Sequence, residues 1–267
     1  MRANVLSLDG KVVSEIDLPK FFECEVDNVL IRRAVQSLLT SQVQTKYPYV
    51  YAGRYNTAAY VGARHKPAMY RSINIERARK PKLKNRRGLA SGKVAGIPAV
   101  VKGPKAHPPK KEKIWAEKIN KKEKRMAIMS SIAATVDPKL VKARGHFLPD
   151  NLSLPIVFES KLENLSKTKE VLKAFEAIGI EKDIERVKRK KSIRAGKGKK
   201  RGRKYKERKS LLVVVEKDVP LIKAVRNLEG VDVVRVSQLN VSLLAPGALP
   251  GRLVVWTEGA IKALENK

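Results

Sequence analysis

The order of apolar and polar positions divides the chain into periodic stretches and stretches without a period. Val5, Leu6 and Leu8 precede Asp9-Gly10, and Val12, Val13 and Ile16 follow it. That order predicts an N-terminal β-hairpin closed by a two-residue turn. Asp27-Asn28 is a helix N-cap signal, and Leu30, Ala34 and Leu38 mark one apolar helix face up to about Thr40. A second helix is expected from Asn120 to Val136, with Met126, Met129 and Ile132 inside and Asp137-Pro138 ending it. Pro155 to Phe158 reads as a short strand. Ser166 is the expected cap of a helix with Val171, Leu172, Phe175 and Ile178 on one face and Gly179 at its end. Leu211 to Val215 is a continuous apolar run, suited to a strand buried on both faces. A helix from Pro220 to Leu228 stops at Gly230, and Val231, Val233 and Val234 form a further strand. Leu253 to Trp256 makes the last one, and Thr257 caps a final helix. The pattern therefore predicts an α/β fold: a three-layer domain with a four-stranded parallel sheet, right-handed crossovers and an N-terminal hairpin.

From about Tyr47 to Lys113 neither a helical nor an alternating pattern persists, and thirteen glycines and prolines interrupt the segment. A loop of that length inside a compact domain needs a reason. Charge supplies one. The 267 residues carry 58 Lys/Arg against 26 Asp/Glu, a formal net charge of +32. Ser41 to Lys113 holds 18 Lys/Arg and only Glu76 and Glu112 as acids; Arg186 to Lys209 holds 15 Lys/Arg and only Glu207. These 97 residues carry +30 of the total, so the remainder is nearly neutral. Blocks of like charge resist compaction and become ordered when counter-charge arrives. The organisation expected is an α/β domain from 1–45 and 114–267, containing a basic segment 186–209, with an extended, non-globular basic arm 46–113 inserted in it.

So large a positive excess argues against a charge-balanced metabolic enzyme and for a polyanionic partner, of which nucleic acid is the commonest. No apolar run is long enough for a membrane span, and the N-terminus lacks a secretory signal, so a cytoplasmic setting is expected. Cys24 alone makes no intrachain disulfide and is most simply a small buried side chain. No metal or cofactor is expected. His65, His107 and His146 show no Ser-His-Asp or Cys-His spacing, so structural or RNA-facing roles outweigh catalysis. Gly196 to Gly202 superficially resembles a dinucleotide loop, but no strand precedes it and the intervening residues are all basic.

Six of the seven tyrosines lie in 24 residues of the arm, interleaved with arginines; the seventh, Tyr205, lies in the second block. That mixture suits stacking on unpaired bases while guanidinium groups hold phosphates. For Tyr47, Tyr49, Tyr51 and Tyr55, a local aromatic cluster at the arm's base is an equal reading, whereas Tyr60 and Tyr70 lean toward RNA.

Several ordered motifs resemble a known family. LDGKVVSEIDLP at the hairpin, KGPKAHPPK at the end of the arm, NKKEKRMAI at the second helix, GRKYKERKSLLVVV after the second block and the tail LAPGALPGRLVVWTE are similar to the universal L-four protein family of the large ribosomal subunit. GRKY and HPPK resemble its archaeal/eukaryotic branch, and the lack of a long C-terminal extension favours the archaeal side. The resemblance spans essentially the whole chain. It implies a structural, non-enzymatic ribosomal protein whose arm threads through large-subunit ribosomal RNA. The arm's tip would reach the narrow part of the nascent-peptide exit tunnel, beside the L-twenty-two protein. By position the tip falls in Ala78 to Lys93, with Arg86, Arg87 and Gly88 nearest the tunnel.

Composition and resemblance together give the residues expected to face RNA. In the arm they are Arg54, Tyr60, Arg64, Lys66, Tyr70, Arg71, Arg77, Arg79, Lys80, Lys82, Lys84, Lys93, Lys102, Lys105, His107 and Lys110. In the second block they are Arg194, Lys197, Lys199, Lys200, Arg201, Arg203, Lys204 and Tyr205. The rival reading is an RNA-modifying enzyme with an α/β catalytic domain and a substrate-guiding arm. It would need titratable residues at the carboxyl ends of the strands, where Glu159, Glu216 and Glu258 lie beside helix starts. A duplex-binding chromatin-type protein is a weaker rival, because tyrosines interleaved with arginines suit irregular RNA.

Overall fold

In a computed structural model of the chain, residues 1–67, 71–84, 88–149 and 152–265 are described. Contacts divide the chain into two compact units, 1–42 with 116–267 and 43–115. In chain order the first unit contains strands β1 (Arg2–Leu6) and β2 (Val12–Asp17) and helix α1 (Asn28–Ser41). The second contains the two-residue strands β3 (Ala58–Ala59) and β4 (Lys82–Leu83). The first unit resumes with α2 (Lys121–Ala133), α3 (Pro138–Arg144), β5 (Ile156–Phe158), α4 (Thr168–Ile178) and α5 (Glu181–Arg189). A small hairpin, β6 (Ser192–Ile193) and β7 (Tyr205–Lys206), precedes β8 (Leu212–Val215), α6 (Leu221–Val225) and β9 (Asp232–Arg235). The short α7 (Val241–Leu244), β10 (Val254–Thr257) and α8 (Glu258–Glu265) complete the chain.

The sheet has six strands in the order β2-β1-β5-β10-β8-β9, not four. The four strands expected from their apolar runs are present and parallel. The hairpin does not stand apart: β1 pairs in parallel with β5, Val5 opposite Val157, and brings β2 as an antiparallel edge. Its inward residues Ala3, Val5 and Leu6 are buried by that pairing. The hairpin turn also differs from expectation. Gly10 N donates to the Ser7 carbonyl at 3.1 Å and Ser7 N donates to the Lys11 carbonyl at 2.8 Å, with Gly10 at φ +80°. Leu8 to Gly10 thus form a three-residue loop whose glycine takes the left-handed position, rather than a two-residue Asp-Gly turn.

Alternation along the strands supplies two cores. Ile156, Phe158, Val213, Val215 and Val255 pack toward Val171, Phe175 and Ile184 of α4 and α5 and Leu221 and Val225 of α6. Val157, Leu212, Val214, Val254 and Trp256 face Ile132 of α2 and Ile261 and Leu264 of α8. Helices therefore cover both faces, the condition under which a parallel strand reads as an unbroken apolar run. Each fully buried valine or leucine of β8 contributes roughly 1.5–3 kcal/mol.

Four local expectations are corrected. Met126 is exposed, because α2 buries Ala127, Ser130, Ser131, Ile132 and Ala133 instead. Small residues let α2 approach α1, whose buried side is Ile31, Ala34 and Val35. Asp137-Pro138 ends one helix and starts another: the Asp137 carboxylate accepts from Lys139 N at 2.8 Å, with Pro138 in the first turn of α3. Ser166 caps nothing; Lys167 occupies the N-cap position of α4. Finally, the second basic block begins inside a folded helix, since α5 runs to Arg189 with Ile184 and Val187 buried.

Candidate nucleic-acid interface

The segment after α5 forms a basic ribbon. β6 and β7 pair with Ser192 opposite Lys206 and Ile193 opposite Tyr205. Arg194 N donates to Lys204 O at 2.8 Å, and a 3-10 turn over Lys197–Arg201 closes at Gly202, φ +77°. Arg194, Lys197, Lys199, Lys200, Arg201, Arg203 and Lys204 are exposed, and among the described residues none forms an ion pair. Tyr205 is exposed, with the Lys191 and Lys204 ammonium groups 5.3 and 5.5 Å from its ring centre. The ribbon's free charge is therefore concentrated at its far end.

Its base is neutralised and fixed. Lys191 pairs with Glu207 at 3.1 Å and Glu229 at 3.3 Å, and Lys209 pairs with Asp232 at 2.8 Å. Asp183 of α5, fully buried, is the hub. Its Oδ1 accepts from Phe147 N and Arg186 Nε, each at 2.9 Å; its Oδ2 accepts from Ser210 Oγ at 2.6 Å and lies 3.1 Å from His146 Nδ1. Burial alone would raise the Asp183 pKa. Hydrogen bonds from His146, Arg186 and Ser210 outweigh it and hold the carboxyl well below the usual carboxylate range. Burial lowers the His146 pKa despite that carboxylate, so the imidazole is neutral at pH 7. The Ser210 hydroxyl bonds the carboxylate, and His146 lies beside the same oxygen. Ser210 and His146 thus converge on one carboxylate oxygen of Asp183 instead of forming a nucleophile–base relay.

Arg252, also fully buried, secures the other side. Its Nε donates to Ser210 O at 2.9 Å, Nη1 to Leu243 O at 2.8 Å, and Nη2 to Leu211 O at 3.1 Å and Asp232 Oδ2 at 2.7 Å. Gly230 lets the turn before β9 press on the returning chain: a Cβ there would lie 2.6 Å from Arg208 O, and φ is +75°. The Asp183 hub and Arg252 escaped the sequence reading. The available signals were Ser210 at the edge of an apolar run and Asp183 as one of three acids just before a basic stretch.

In the 43–115 unit β3 and β4 pair antiparallel, and Lys82 bridges to Val94. Ser72, fully buried, donates from N to Val61 O at 2.9 Å, accepts from Val61 N and donates to Ala59 O through its hydroxyl. The segment thus has local ties that its glycine and proline content did not suggest. Arg54, Tyr60, Arg64, Lys66, Arg77, Arg79, Lys80, Lys93, Lys102, Lys105, His107 and Lys110 are exposed, as is Gly88. Arg71 and Lys84 are half-buried, with Arg71 Nη1 donating to Arg64 O at 3.1 Å. Lys82 is buried and donates through Nζ to Ala78 O at 2.7 Å. Loss of water and the positive charges of Arg77 and Lys84 lower its pKa. Its ammonium is turned inward, away from the exposed set in which the sequence placed it. Tyr70, Arg86 and Arg87 lie outside the described residues.

At the carboxyl ends of the strands the acids are engaged. Glu163 Oε1 accepts from Thr257 Oγ1 at 2.6 Å and Glu216 N at 3.4 Å. Glu159 pairs with Lys161, Glu216 with Lys217 and Glu258 with Lys262. Among the described residues no helix is long and apolar enough to cross a membrane.

An α/β domain with a clamped basic ribbon, joined to a basic tyrosine-bearing segment, is the build of a protein that lies against a polyanion. The comparisons with known proteins agree with that class. The model of the Ribosomal protein L4/L1 family matches residues 16–267. The large ribosomal subunit protein uL4 of Methanospirillum hungatei is 46% identical, covering 99% of this chain and 98% of its own. The proteins of the same name from Methanocaldococcus jannaschii, 45% identical, and Methanopyrus kandleri, 43% identical, each cover 100% of this chain and 99% of their own. The chain belongs to the ribosomal protein L4/L1 family.

Proposed function

We propose that this protein is a structural component of the large subunit of the cytoplasmic ribosome. It binds large-subunit ribosomal RNA through the 43–115 segment and the ribbon after α5, and it supports subunit assembly. The tip of the segment, within Ala78 to Lys93, forms part of the wall of the nascent-peptide exit tunnel, beside the L-twenty-two protein and the nascent chain. Family membership supports the ribosomal assignment. The observation that carries RNA binding is the set of exposed cations without acidic partners at the far end of the ribbon. Such a surface attracts matching negative charge and raises its local concentration.

Crosslinking of purified ribosomes tests both parts. A photoreactive side chain at Lys200 is expected to label ribosomal RNA, and one at Gly88 to label a stalled nascent chain. Labelling of solvent-exposed proteins alone from Lys200 would overturn the RNA assignment. Labelling of RNA but never nascent chain from Gly88 would move the tip away from the tunnel.

A further inference from the structure

The 43–115 unit contains a cavity of about 460 Å³ within the size range of small-ligand sites. Two stretches about fifty residues apart line it. Tyr47, Tyr49 and Arg54 come from the first, and Pro104, Lys105 and Pro108 from the second. Among the described residues, no acidic side chain lines it. The stretches come into backbone contact at Gly53: a Cβ there, at φ +77°, would lie 2.3 Å from Pro104 N and 2.7 Å from Gly103 O. Ala52 N to Tyr49 O and Arg54 N to Tyr51 O, both 2.8 Å, set the curve of the first wall. The prolines stiffen the second, since each fixes its own φ.

The aromatic side chains are held but uncovered. Tyr49 meets Tyr51 edge-on at 5.8 Å between ring centres, an arrangement that orients the ring and leaves a face free. Tyr47 and Tyr49 are 61% and 66% exposed. A tyrosine cluster formed to pack a core would bury its rings. These rings stand open beside Arg54 and Lys105, and Lys111 lies 5.9 Å from the centre of the Tyr47 ring.

We infer that this cavity is a binding site for a single unstacked nucleotide of RNA. The base stacks on Tyr47 or Tyr49 against the proline wall, and Arg54 and Lys105 hold the flanking phosphates. The charge and the aromatic faces match single-stranded RNA, whose bases present a π-face and whose backbone is anionic. A duplex cannot enter, because its bases are already stacked. The inference rests on the RNA-binding reading above and assigns a specific site within it.

The test uses the full chain and single-stranded RNA carrying one 5-bromouridine, with the same RNA annealed to its complement as the comparison. Irradiation is expected to crosslink the single strand to Tyr47 or Tyr49 and to leave the duplex uncrosslinked there. Tyr47→Leu with Tyr49→Leu keeps apolar bulk and removes stacking. It is expected to abolish that crosslink and weaken single-strand binding about tenfold or more, with duplex binding unchanged. Arg54→Gln with Lys105→Gln is expected to make the salt dependence of single-strand binding shallower by about 1.4 in logarithmic slope, two phosphate contacts. Crosslinks confined to Tyr55, Tyr60 or Tyr205, or equal losses for both RNAs, would overturn the site while leaving RNA binding intact. Displacement of the crosslink by an acidic peptide at lower concentration than unlabelled RNA would reassign the cavity to a protein partner. Failure of the unaltered chain to bind either RNA would remove the underlying reading as well.

Discussion

Removing the Asp183 carboxylate should be among the most damaging single changes to the domain, and the size of the loss depends on the replacement. In Asp183→Ala the donors Phe147 N, Arg186 Nε and Ser210 Oγ lose their acceptor, and His146 Nδ1 its neighbour, in a fully buried place. Breaking a buried ionic network from one side costs about 3–5 kcal/mol. Asp183→Asn is milder for a geometric reason. Its remaining oxygen can serve Phe147 N and Arg186, while its NH2 can donate to the Ser210 hydroxyl and to an unprotonated His146 Nδ1. The hydrogen bonds survive and only the charge is lost, so about 1–2 kcal/mol is expected. Urea unfolding in a Trp115→Phe background reads the domain alone, since Trp256 is then the sole indole and is fully buried in the sheet. An alanine variant within ~0.5 kcal/mol of the parent would contradict the hub, because that is the scatter of ordinary surface changes. An asparagine variant as damaged as the alanine one would place the stabilisation in the charge and refute the argument from hydrogen bonds.

The same network sets a pH dependence. His146 titrates below its ordinary value in the folded state, so the unfolded chain binds the extra proton first and stability falls as pH drops through about 6.5. Asp183, held ionised in the fold, adds a further loss below the ordinary carboxylate range as the unfolded chain takes up its proton. His146→Gln should flatten the unfolding midpoint between about pH 7 and 5.5 and leave the acid limb in place; an unchanged profile would assign the first loss to another group. Gly230→Ala should lower the unfolding free energy by about 1–3 kcal/mol through positive φ and collision with Arg208 O, and should speed amide exchange in the ribbon's base. Parent-like melting of that variant would mean the turn shifts freely.

The central parallel strands were legible because burial on both faces leaves an unbroken apolar run, as in Leu212–Val215. The helix start at Asn28 was legible too, from the short polar cap Asp27. What escaped has a common cause: the sequence marks local preference, while the outcome depends on a distant neighbour. β1 alternates as an edge strand would, and only its pairing with β5 makes it part of the sheet. α2 buries alanines and serines because α1 lies close, so Met126 pointed to the wrong face. In α5, Ile184 and Val187 are spaced for a helix, but seven charged residues among nine obscure them. Exposed cations follow from composition. Lys82 does not, because its inward turn depends on the Ala78 carbonyl four residues away. The base of the ribbon was equally hidden, since Asp183 and Arg252 meet it from well outside the basic block.

The central claim is that the concentrated charge faces phosphate. The most direct measurement is the affinity of the full chain for a ribosomal RNA fragment across a range of salt concentrations. The two blocks hold 33 Lys/Arg residues. If eight of them displace counterions, the logarithm of the binding constant should fall against the logarithm of salt with a slope of roughly −5 to −7. A slope near −1 would contradict the account, because it would leave nearly all of these cations facing water.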